Sequence, residues 1–344
     1  MRVGNFAKLC NDKISGSSLL PSNYLSTENM IPEFGGFALS NNVPHIMVTK
    51  YLKADILLSN IRPYFKKMVY AKQDGGCSND VLCIRTDSSI CLAKYLYYAL
   101  STETFFAKYV ASCKGTKMPR GDKNVLLDYE INLPSIGDQQ HIVDTIGSVD
   151  SLIEFNQEKI SKIKSLATQK YEFLYKAYPK SAIGKKLKFI KGKQPKFASK
   201  EDGLPYLVID DLASNIYTHF SSEGLACDEN DVLMVMDGAS SGKVFTGNKG
   251  YVGSTLAKLS SSQIKSSILY FGLSKFEEEI MKNTTGSAIP HTDKSFVCEL
   301  QIIDDLDGKT IDFFDFCLNQ ICNLRTQNSL LNIQKEILLQ KFFH

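Results

Sequence analysis

Apolar residues recur at alternating spacings of three and four along residues 138–178, which is the period of a helix that packs against another helix. The seam positions are Ile142, Ile146, Val149, Ile153, Ile160, Ile163, Ala167 and Leu174, and the polar residues Asn156 and Lys170 fill the two places where the repeat lacks an apolar residue. No proline occurs between Pro134 and Pro179. The pattern therefore predicts a coiled-coil helix of about 40 residues, roughly 60 Å long.

A second helical segment, residues 310–344, has a seven-residue repeat that is rougher than the first. Its apolar seam positions are Cys317, Leu324, Leu331 and Leu338. Neither segment can bury its apolar face alone, so the two helices should pair within the chain. Asn156 and Gln327 are predicted as polar seam positions, which either fix the register of the pair or lie at a wet end of it.

Outside these helices, short apolar runs alternate with turns rich in glycine, asparagine and serine. The runs predict strands at 46–49, 56–58, 68–71, 81–85, 206–209, 232–235 and 243–246. Helical patterns cover 91–108 and 267–283. Strands that follow one another without intervening helices are typical of an α+β fold rather than of a βαβ series.

The chain contains an internal repeat. Gly115-Thr-Lys-Met-Pro-Arg-Gly-Asp-Lys and Gly286-Ser-Ala-Ile-Pro-His-Thr-Asp-Lys share the pattern G-x-x-apolar-P-x-x-D-K at an offset of 171 residues. Ala54-Asp-Ile-Leu matches Asn230-Asp-Val-Leu at an offset of 176, and Tyr24-Leu matches Tyr206-Leu at 182. Matches in the same order with drifting offsets indicate an old duplication with loop insertions. We therefore expect four regions: 1–135, 136–182, 183–305 and 306–344.

Composition adds limits to this picture. The 344 residues carry a net charge of +3, and no run approaches the roughly 18 apolar residues of a membrane span. Nine scattered cysteines without a C-x-x-C pair favour a reducing, cytoplasmic compartment and no metal site. The small net charge does not exclude nucleic acid, because residues 1–135 carry +5 and the run Lys185–Lys200 holds seven lysines without an acid.

Polar and basic loops occupy equivalent places in the two halves. Arginine and asparagine suit guanine and adenine edges, and lysine and threonine suit phosphates. In the first half these loops contain Ser59, Asn60, Arg62, Tyr64, Lys66, Lys67, Asn79, Lys114, Lys117 and Arg120. In the second half they contain Lys193, Gln194, Ser240, Ser241, Lys243, Ser287 and His291. Each loop taken singly could be a solvated turn, but the paired occurrence favours binding.

Catalytic motifs are absent from the sequence. Gly238 to Val244 imitates a P-loop but is one residue short and lacks its serine or threonine. The chain has no G-x-S-x-G, no H-E-x-x-H, no Pro-Pro pair and only dispersed histidines. We therefore expect a binding protein, with no catalytic residue, no metal and no cofactor of its own.

The chain resembles the specificity (S) subunits of type I restriction-modification enzymes over essentially all of its length. The resemblance rests on strings at 54–64, 74–82, 133–142 and 149–156 and on Gly286-x-x-x-Pro290. It implies two tandem globular target-recognition domains, 1–135 and 183–305, separated by two long antiparallel coiled-coil spacer helices, 136–182 and 306–344. The expected fold class is thus α+β with an internal pseudo-two-fold repeat.

The resemblance also implies a role in bacterial defence. Each recognition domain would read one half of a bipartite target in double-stranded DNA, and the helices would set the distance between the half-sites. Methyltransferase (M) subunits, expected to be two, and a restriction-translocase (R) subunit would be the partners. S-adenosylmethionine, ATP and magnesium would belong to those partners, and no membrane would be involved.

Two readings from other classes stay open at this point. A single-chain DNA-modifying enzyme with an unrecognised site would methylate or cut DNA by itself. A coiled-coil interaction protein without a nucleic-acid role would show no sequence-specific, salt-sensitive DNA binding.

Overall fold

The chain is described by a computed structural model that covers residues 1–115, 117–214, 217–286, 288–303 and 305–343. Its contacts divide the chain into two compact units. Unit 1 comprises Met1–Asp150 with Ile333–His344, and unit 2 comprises Ser151–Asn332. Unit 1 is discontinuous in sequence because the C-terminal end of the chain packs with its N-terminal part.

Unit 1 begins with short strands and continues into helices. Its strands are β1 (Ala7–Leu9), β2 (Lys13–Ser15), β3 (Tyr24–Leu25), β4 (Met47–Tyr51), β5 (Ile56–Ser59), β6 (Met68–Tyr70), β7 (Gly75–Cys77) and β8 (Val81–Thr86). Its helices are α1 (Ala93–Leu100), α2 (Glu103–Ala111), α3 (Lys123–Leu127) and the first part of α4 (Ile136–Ala177). Single turns of 3-10 helix lie at Val3–Asn5, Gly16–Ser18 and Pro63–Phe65.

The strands of unit 1 form two sheets, with β5 at the centre of the unit. β1, β8, β5 and β6 pair in that order, all antiparallel, and β2, β4, β7 and β3 form the second sheet, in which β3 and β7 are parallel. Ile56 and Leu58 pack on the side of α1 and α2, whereas Leu57 joins a core with Leu25 and Cys77 of the second sheet. Because β5 is covered on both faces, its sequence is a continuous apolar run rather than an alternating one.

Unit 2 repeats this plan with further short strands. Its strands are β9 (Ser181–Ala182), β10 (Lys188–Lys191), β11 (Leu204–Leu207), β12 (Phe220–Ser221), β13 (Ala226–Cys227), β14 (Val232–Val235), β15 (Val244–Phe245), β16 (Gly250–Val252), β17 (Leu256–Ser260), β18 (Thr284–Thr285), β19 (His291–Thr292) and β20 (Gln301–Ile302). Its helices are the rest of α4, α5 (Ile209–Ser214), α6 (Ser266–Lys275), α7 (Glu277–Lys282), α8 (Lys294–Glu299) and most of α9 (Gly308–Phe343), with a 3-10 turn at Gly184–Lys186.

The first sheet of unit 2 has the same strand order as that of unit 1, whereas in the second sheets the parallel pair is internal in unit 2 and lies at the edge in unit 1. β10, β17, β14 and β15 correspond to β1, β8, β5 and β6, and β12, β11, β16 and β13 contain one parallel pair, β11 with β16. In β14, Val232 and Met234 face the helices, and Leu233 and Val235 face the other core. Two short pairs, β18 with β19 and β20 with β9, complete the unit. The structure thus confirms the internal repeat within an α+β fold.

Physical chemistry accounts for the repeated strings. Asp55 accepts a hydrogen bond from the backbone of Leu52 at 2.7 Å, and Asp231 accepts one from Asp228 at 2.8 Å, which closes the same turn before β5 and β14. Aspartate favours such turns because its short carboxylate reaches a nearby backbone N–H. The Asp-Ile-Leu and Asp-Val-Leu strings are therefore turn-plus-strand signals.

The G-x-x-apolar-P-x-x-D-K strings are also structural. Gly115 and Gly286 have positive φ angles of +93° and +89°, a region that glycine enters without steric cost. Asp122 accepts a hydrogen bond from the backbone of Asn124 at 2.9 Å and begins α3. Asp293 caps α8 in the same way through Ser295 and Phe296. Each string therefore makes a turn followed by a helix start.

In unit 1, the beginning of α4 packs against α1 and the end of α9. Ile142 and Ile146 are buried in the same core as Leu339. Asp150 binds Lys335 at 2.7 Å and accepts a hydrogen bond from the Tyr98 hydroxyl at 2.7 Å. Burial opposes ionisation of Asp150, but Lys335, Tyr98 and Lys94 outweigh it and hold the pKa of this carboxyl below its ordinary value.

In unit 2, the remaining parts of α4 and α9 pair antiparallel. Asn156 Nδ2 donates to Asn328 Oδ1 at 2.9 Å, and the rings of Tyr171 and Phe314 lie 5.9 Å apart, so residue numbers rise along one helix as they fall along the other. Val149 of unit 1 and Ala167, Leu174, Cys317 and Leu324 of unit 2 are buried, whereas Ile153, Ile160, Ile163 and Leu331 are half-buried. Lys170 is exposed, so its predicted place in the seam is wrong. Gln327 is exposed, so the prediction that it lies in the seam is wrong. Asn328 occupies the polar seam position instead.

Two helices that the sequence predicts as continuous are each interrupted in the structure. The helix predicted at 91–108 is broken at Ser101 and Thr102, where Thr102 accepts a hydrogen bond from Phe105 and starts α2. The helix predicted at 267–283 is likewise interrupted at Phe276. Among the described residues, no helix is long and apolar enough to cross a membrane.

Candidate nucleic-acid interface

In unit 1, the loop after β5 is held in an unusual backbone conformation. Arg62 and Lys66 flank the 3-10 turn Pro63–Phe65, and both have positive φ angles, +48° and +49°. Non-glycine residues adopt this region rarely and at a cost, so the surrounding structure must hold them there. Arg62 and Tyr64 are exposed as a result.

Two residues that the sequence predicts as DNA contacts, Ser59 and Asn60, are buried beneath this loop and bonded within the protein. Ser59 is buried and its hydroxyl donates to the backbone of Ile61 at 3.0 Å. Asn60 is buried and its Oδ1 accepts from the Tyr109 hydroxyl at 2.8 Å. This corrects the expectation of direct DNA contact for Ser59 and Asn60, because their polar atoms are bonded within the protein.

A hairpin at residues 114–120 lies beside the loop. Lys114 and Arg120 exchange backbone hydrogen bonds of 3.0 and 3.1 Å, and Arg62 N–H donates to the Pro119 carbonyl at 2.8 Å. The hairpin and the loop thus present Arg62, Lys117 and Arg120 at one edge of unit 1. Within the described ranges of the chain, Arg62 and Lys117 form no ion pair. These two cations are available to an anionic partner.

The other predicted cations of unit 1 already have partners. Arg120 binds Asp80 at 2.9 Å and Lys114 binds Asp122 at 3.2 Å, both with exposed side chains. Such surface pairs are weak and can open to a stronger anion. Asn79 is exposed and accepts from Lys13 at 3.4 Å.

The two lysines of the loop are held more firmly. Lys66 binds Glu103 at 2.5 Å and Glu33 at 3.4 Å. Burial works against the ammonium, but these two carboxylates hold the pKa of Lys66 above its ordinary value. Lys67 donates to the Thr27 carbonyl at 2.7 Å. Both lysines therefore tie the loop to unit 1, and neither is a free phosphate contact in this conformation.

Unit 2 has the equivalent loop between β14 and β15. Gly238 N–H donates to the Pro290 carbonyl at 2.9 Å, which reproduces the Arg62–Pro119 bond of unit 1. Ser241 is buried and its hydroxyl donates to the carbonyls of Gly238 and Pro290 at 2.7 and 2.9 Å. The prediction that Ser241 contacts DNA is corrected for the same reason as that for Ser59.

A charged triad lies beside this loop. Asp237 accepts from His291 Nδ1 at 2.7 Å and binds Lys191 at 2.8 Å. Burial opposes its ionisation, but Lys191 and His291 keep the pKa of Asp237 below its ordinary value. His291 is half exposed and remains accessible from its other side.

The remaining predicted residues of unit 2 differ in exposure. Lys193 and Gln194 are exposed, and Ser240 and Lys243 are half-buried. Ser287 lies outside the described residues.

Sequence reasoning missed the apolar tips of both hairpins. Met118 and Ile289 are 52% and 56% exposed, although apolar side chains of that size are usually buried. Both occupy the apolar position of the repeated G-x-x-apolar-P string, so the repeat already showed that they are equivalent residues of the two halves. An exposed apolar side chain beside cations suits contact with thymine methyl groups.

One cluster of possible metal ligands lies elsewhere in unit 1. The ligand atoms of Cys10, Asp55 and Cys83 lie within 4.8 Å of one another. However, Asp55 already accepts two hydrogen bonds from the Arg85 guanidinium, at 2.8 and 2.6 Å. Burial also raises the pKa of the Cys10 and Cys83 thiols. The cluster fits a buried ion pair with protonated thiols, not a metal centre.

Comparisons with known proteins agree with this geometry. Residues 42–165, which include the first loop, its hairpin and much of α4, match the family model of the type I restriction modification DNA specificity domain. The chain is 31% identical over 175 residues to the type I restriction enzyme MjaVIII specificity subunit of Methanocaldococcus jannaschii. That alignment covers 47% of this chain and only 40% of the relative.

A solved structure shares the fold over the whole chain. The type I restriction-modification system S subunit from M. genitalium matches with a TM-score of 0.52 and 17% sequence identity, covering 100% of this chain and 95% of that one. At this identity the likeness concerns the fold alone. Residues 42–165 thus match the type I restriction modification DNA specificity domain, and the chain as a whole shares its fold with the M. genitalium S subunit.

Proposed function

We propose that the chain is the sequence-specific DNA-recognition subunit of a type I restriction-modification complex. In this proposal, unit 1 reads one half of a bipartite target and unit 2 reads the other. The observation that carries it is the paired loop and hairpin, bonded through Arg62–Pro119 in unit 1 and through Gly238–Pro290 in unit 2. A target of two half-sites requires two similar recognition units, one for each half-site.

The side chains at the loop of unit 1 support DNA as the ligand. Arg62 is exposed, has no ion pair among the described residues and projects from a backbone that is already ordered. Arginine binds the O6 and N7 atoms of guanine through two hydrogen bonds, and Lys117 has the charge for a phosphate. Backbone hydrogen bonds hold the loop in this conformation, and a preorganised loop loses less conformational entropy when it binds.

In unit 2, the proposed contacts differ in kind. Lys193, Gln194, Ser240, Lys243 and His291 offer amide, hydroxyl and imidazole groups instead of a free arginine. We propose that Lys191 and Asp237 orient the His291 ring, because Asp237 bonds to its Nδ1 and leaves Nε2 for the partner. The two half-sites should therefore differ in sequence.

The chemistry of modification and cleavage is assigned to partners. We propose that the helices α4 and α9 dock two methyltransferase subunits, which bind S-adenosylmethionine, and that a restriction subunit uses ATP and magnesium. The specificity subunit itself is proposed to be non-catalytic and to act in the cytoplasm. The exposed apolar residues Phe155, Leu166 and Phe173 on α4 support a protein partner on this helix.

Selection from a random duplex library tests the proposal. The chain is purified as a complex with its methyltransferase partner, and bound DNA is sequenced. We expect a motif of two short half-sites with an undefined gap. Enrichment of no motif, or of one continuous motif, would contradict the proposal.

A variant sharpens this experiment. Arg62→Ala should relax one base position in one half-site, with about 1–3 kcal/mol less discrimination, and leave the other half-site unchanged. Arg2→Ala is the matched control, because Arg2 is an exposed arginine of unit 1 bound to Asp128 and Glu130. An unchanged motif in Arg62→Ala would remove Arg62 from the interface.

A further inference from the structure

Unit 2 contains an open cleft of about 410 Å³, which shares one residue, Lys243, with the DNA contacts proposed above. A cleft of this size lies within the range of small-ligand sites. It is lined by parts of α4, α6, α9 and the start of β15, with polar groups from Lys164, Thr168, Lys243, Ser274 and Arg325.

Arg325 is the most unusual of these residues. It is only 8% exposed, and its Nη1 donates to the Thr246 carbonyl. Gly247, with a φ of +77°, makes room for it, because a Cβ at this position would lie 2.8 Å from Arg325 Cδ. In the part of the chain that the structure describes, Arg325 forms no ion pair. A buried guanidinium without a counterion is costly to maintain unless an anion joins it.

Two further cations share the cleft. Neither Lys164 nor Lys243 forms an ion pair within the described ranges. The acid that lines the cleft is Glu277, whose carboxylate accepts the Val244 N–H at 2.9 Å. The three cations and the one acid leave two positive charges facing the same space.

The repeat supplies an internal comparison. Lys335 stands 171 residues after Lys164, which is the offset between the two G-x-x-apolar-P strings, and in unit 1 it binds Asp150 at 2.7 Å. The position 171 residues after Asp150 is Ile321, so unit 2 lacks the carboxylate that neutralises the equivalent lysine. Unit 1 thus supplies a carboxylate for its lysine, whereas unit 2 has the buried Ile321 at the corresponding position.

We propose that this cleft binds a small phosphate-bearing anion, with Arg325 and Lys164 as its ligands. Guanidinium and ammonium groups form charge-assisted hydrogen bonds with phosphate oxygens, and arginine can engage two of them at once. A free anion fits better than the backbone of DNA, because Arg325 lies deep in the cleft. Phosphates on a duplex are reached by exposed side chains such as Arg62 and Lys117.

Calorimetric titration of the full chain with inorganic pyrophosphate tests the proposal. We expect saturable binding that Lys164→Gln and Arg325→Gln each weaken by about tenfold or more, as the loss of a charge-assisted hydrogen bond predicts. Lys162→Gln is the matched control, because Lys162 is an exposed lysine of the same helix outside the cleft. Saturable binding should also raise the thermal unfolding midpoint of the wild-type protein.

The outcomes separate the possible sources of the phosphate. Absence of pyrophosphate binding, or equal loss in Lys162→Gln, would overturn the site. If Lys164→Gln instead weakens binding of a random-sequence duplex and lowers its salt dependence, the cleft holds a DNA phosphate and the free-anion proposal is wrong. Lys164→Gln tests the site even if Arg325→Gln fails to fold. Failure of pyrophosphate binding leaves the DNA-selection result untouched, so the two proposals fail separately.

Discussion

Asp293 shows how a residue can be conspicuous in sequence for a reason that has nothing to do with a ligand. It stands in the repeated D-K string, and its carboxylate accepts hydrogen bonds from Ser295 and Phe296 at the start of α8. Ser59, Asn60 and Ser241 teach the same lesson, because their residue types suit DNA but their side chains are buried. Residue type predicts which chemistry is possible, whereas backbone geometry decides where the side chain points.

Replacement of the cap tests this account of the motif. Asp293→Ala should destabilise unit 2 by about 0.5–2 kcal/mol, because two backbone N–H groups of α8 lose their acceptor. Asp293→Asn should retain most of the stability, since asparagine caps helices nearly as well. Urea unfolding followed by circular dichroism measures both variants. Equal stability of Asp293→Ala and wild type would contradict the conclusion that Asp293 stabilises the start of α8.

Asp150 gives a prediction about pH. Its pKa is below the ordinary value in the folded protein, so the ionised form is favoured by folding. The stability it contributes is full above the unfolded value of about 3.9 and is lost as the pH falls through the folded value. Wild type should therefore lose more stability than Asp150→Asn as the pH falls below about 4.

Urea midpoints at several acidic pH values measure this difference. Asp144→Asn, an exposed position on the same helix, is the control and should behave like wild type. A parallel loss of stability in wild type and Asp150→Asn would mean that the contacts with Lys335 and Tyr98 do not favour the carboxylate.

At the scale of elements, the two long helices were the structures that the sequence predicted best. Alternating three- and four-residue spacing predicted α4, which runs from Ile136 to Ala177. The partner helix was predicted with Cys317 and Leu324 correctly in its seam, but the polar seam residue was assigned to Gln327 instead of Asn328, because only the pairing with Asn156 distinguishes the two. Helix breaks at Thr102 and Phe276 were missed since the apolar pattern continues across them.

The asparagine pair of unit 2 makes a testable prediction. Asn156→Leu should destabilise the protein by about 1–3 kcal/mol, because the Oδ1 atom of the buried Asn328 loses its hydrogen-bond donor. The double variant Asn156→Leu, Asn328→Leu should recover that loss, since two apolar residues then pack together. Urea unfolding of the wild type, both single variants and the double variant gives the coupling free energy. Additive effects would contradict a direct interaction.

At the scale of the whole molecule, the repeat predicted two similar halves, and the structure has two units that share the strand order of their first sheets. The sequence did not predict that unit 1 combines residues 1–150 with the C-terminal end of the chain. The apolar pattern of a helix shows which face is buried, but it does not show which parts of the chain that face contacts. Net charge was equally uninformative, since +3 is a sum over basic loops and compensating acids.

The central claim is that this chain selects the DNA target of a larger complex. Methylome sequencing of a host that carries the chain and its partner genes, with this gene intact or deleted, tests it most directly. We predict methylated adenines in a bipartite motif with a fixed, undefined gap, all lost on deletion of the gene. A motif that persists without the gene would contradict the claim.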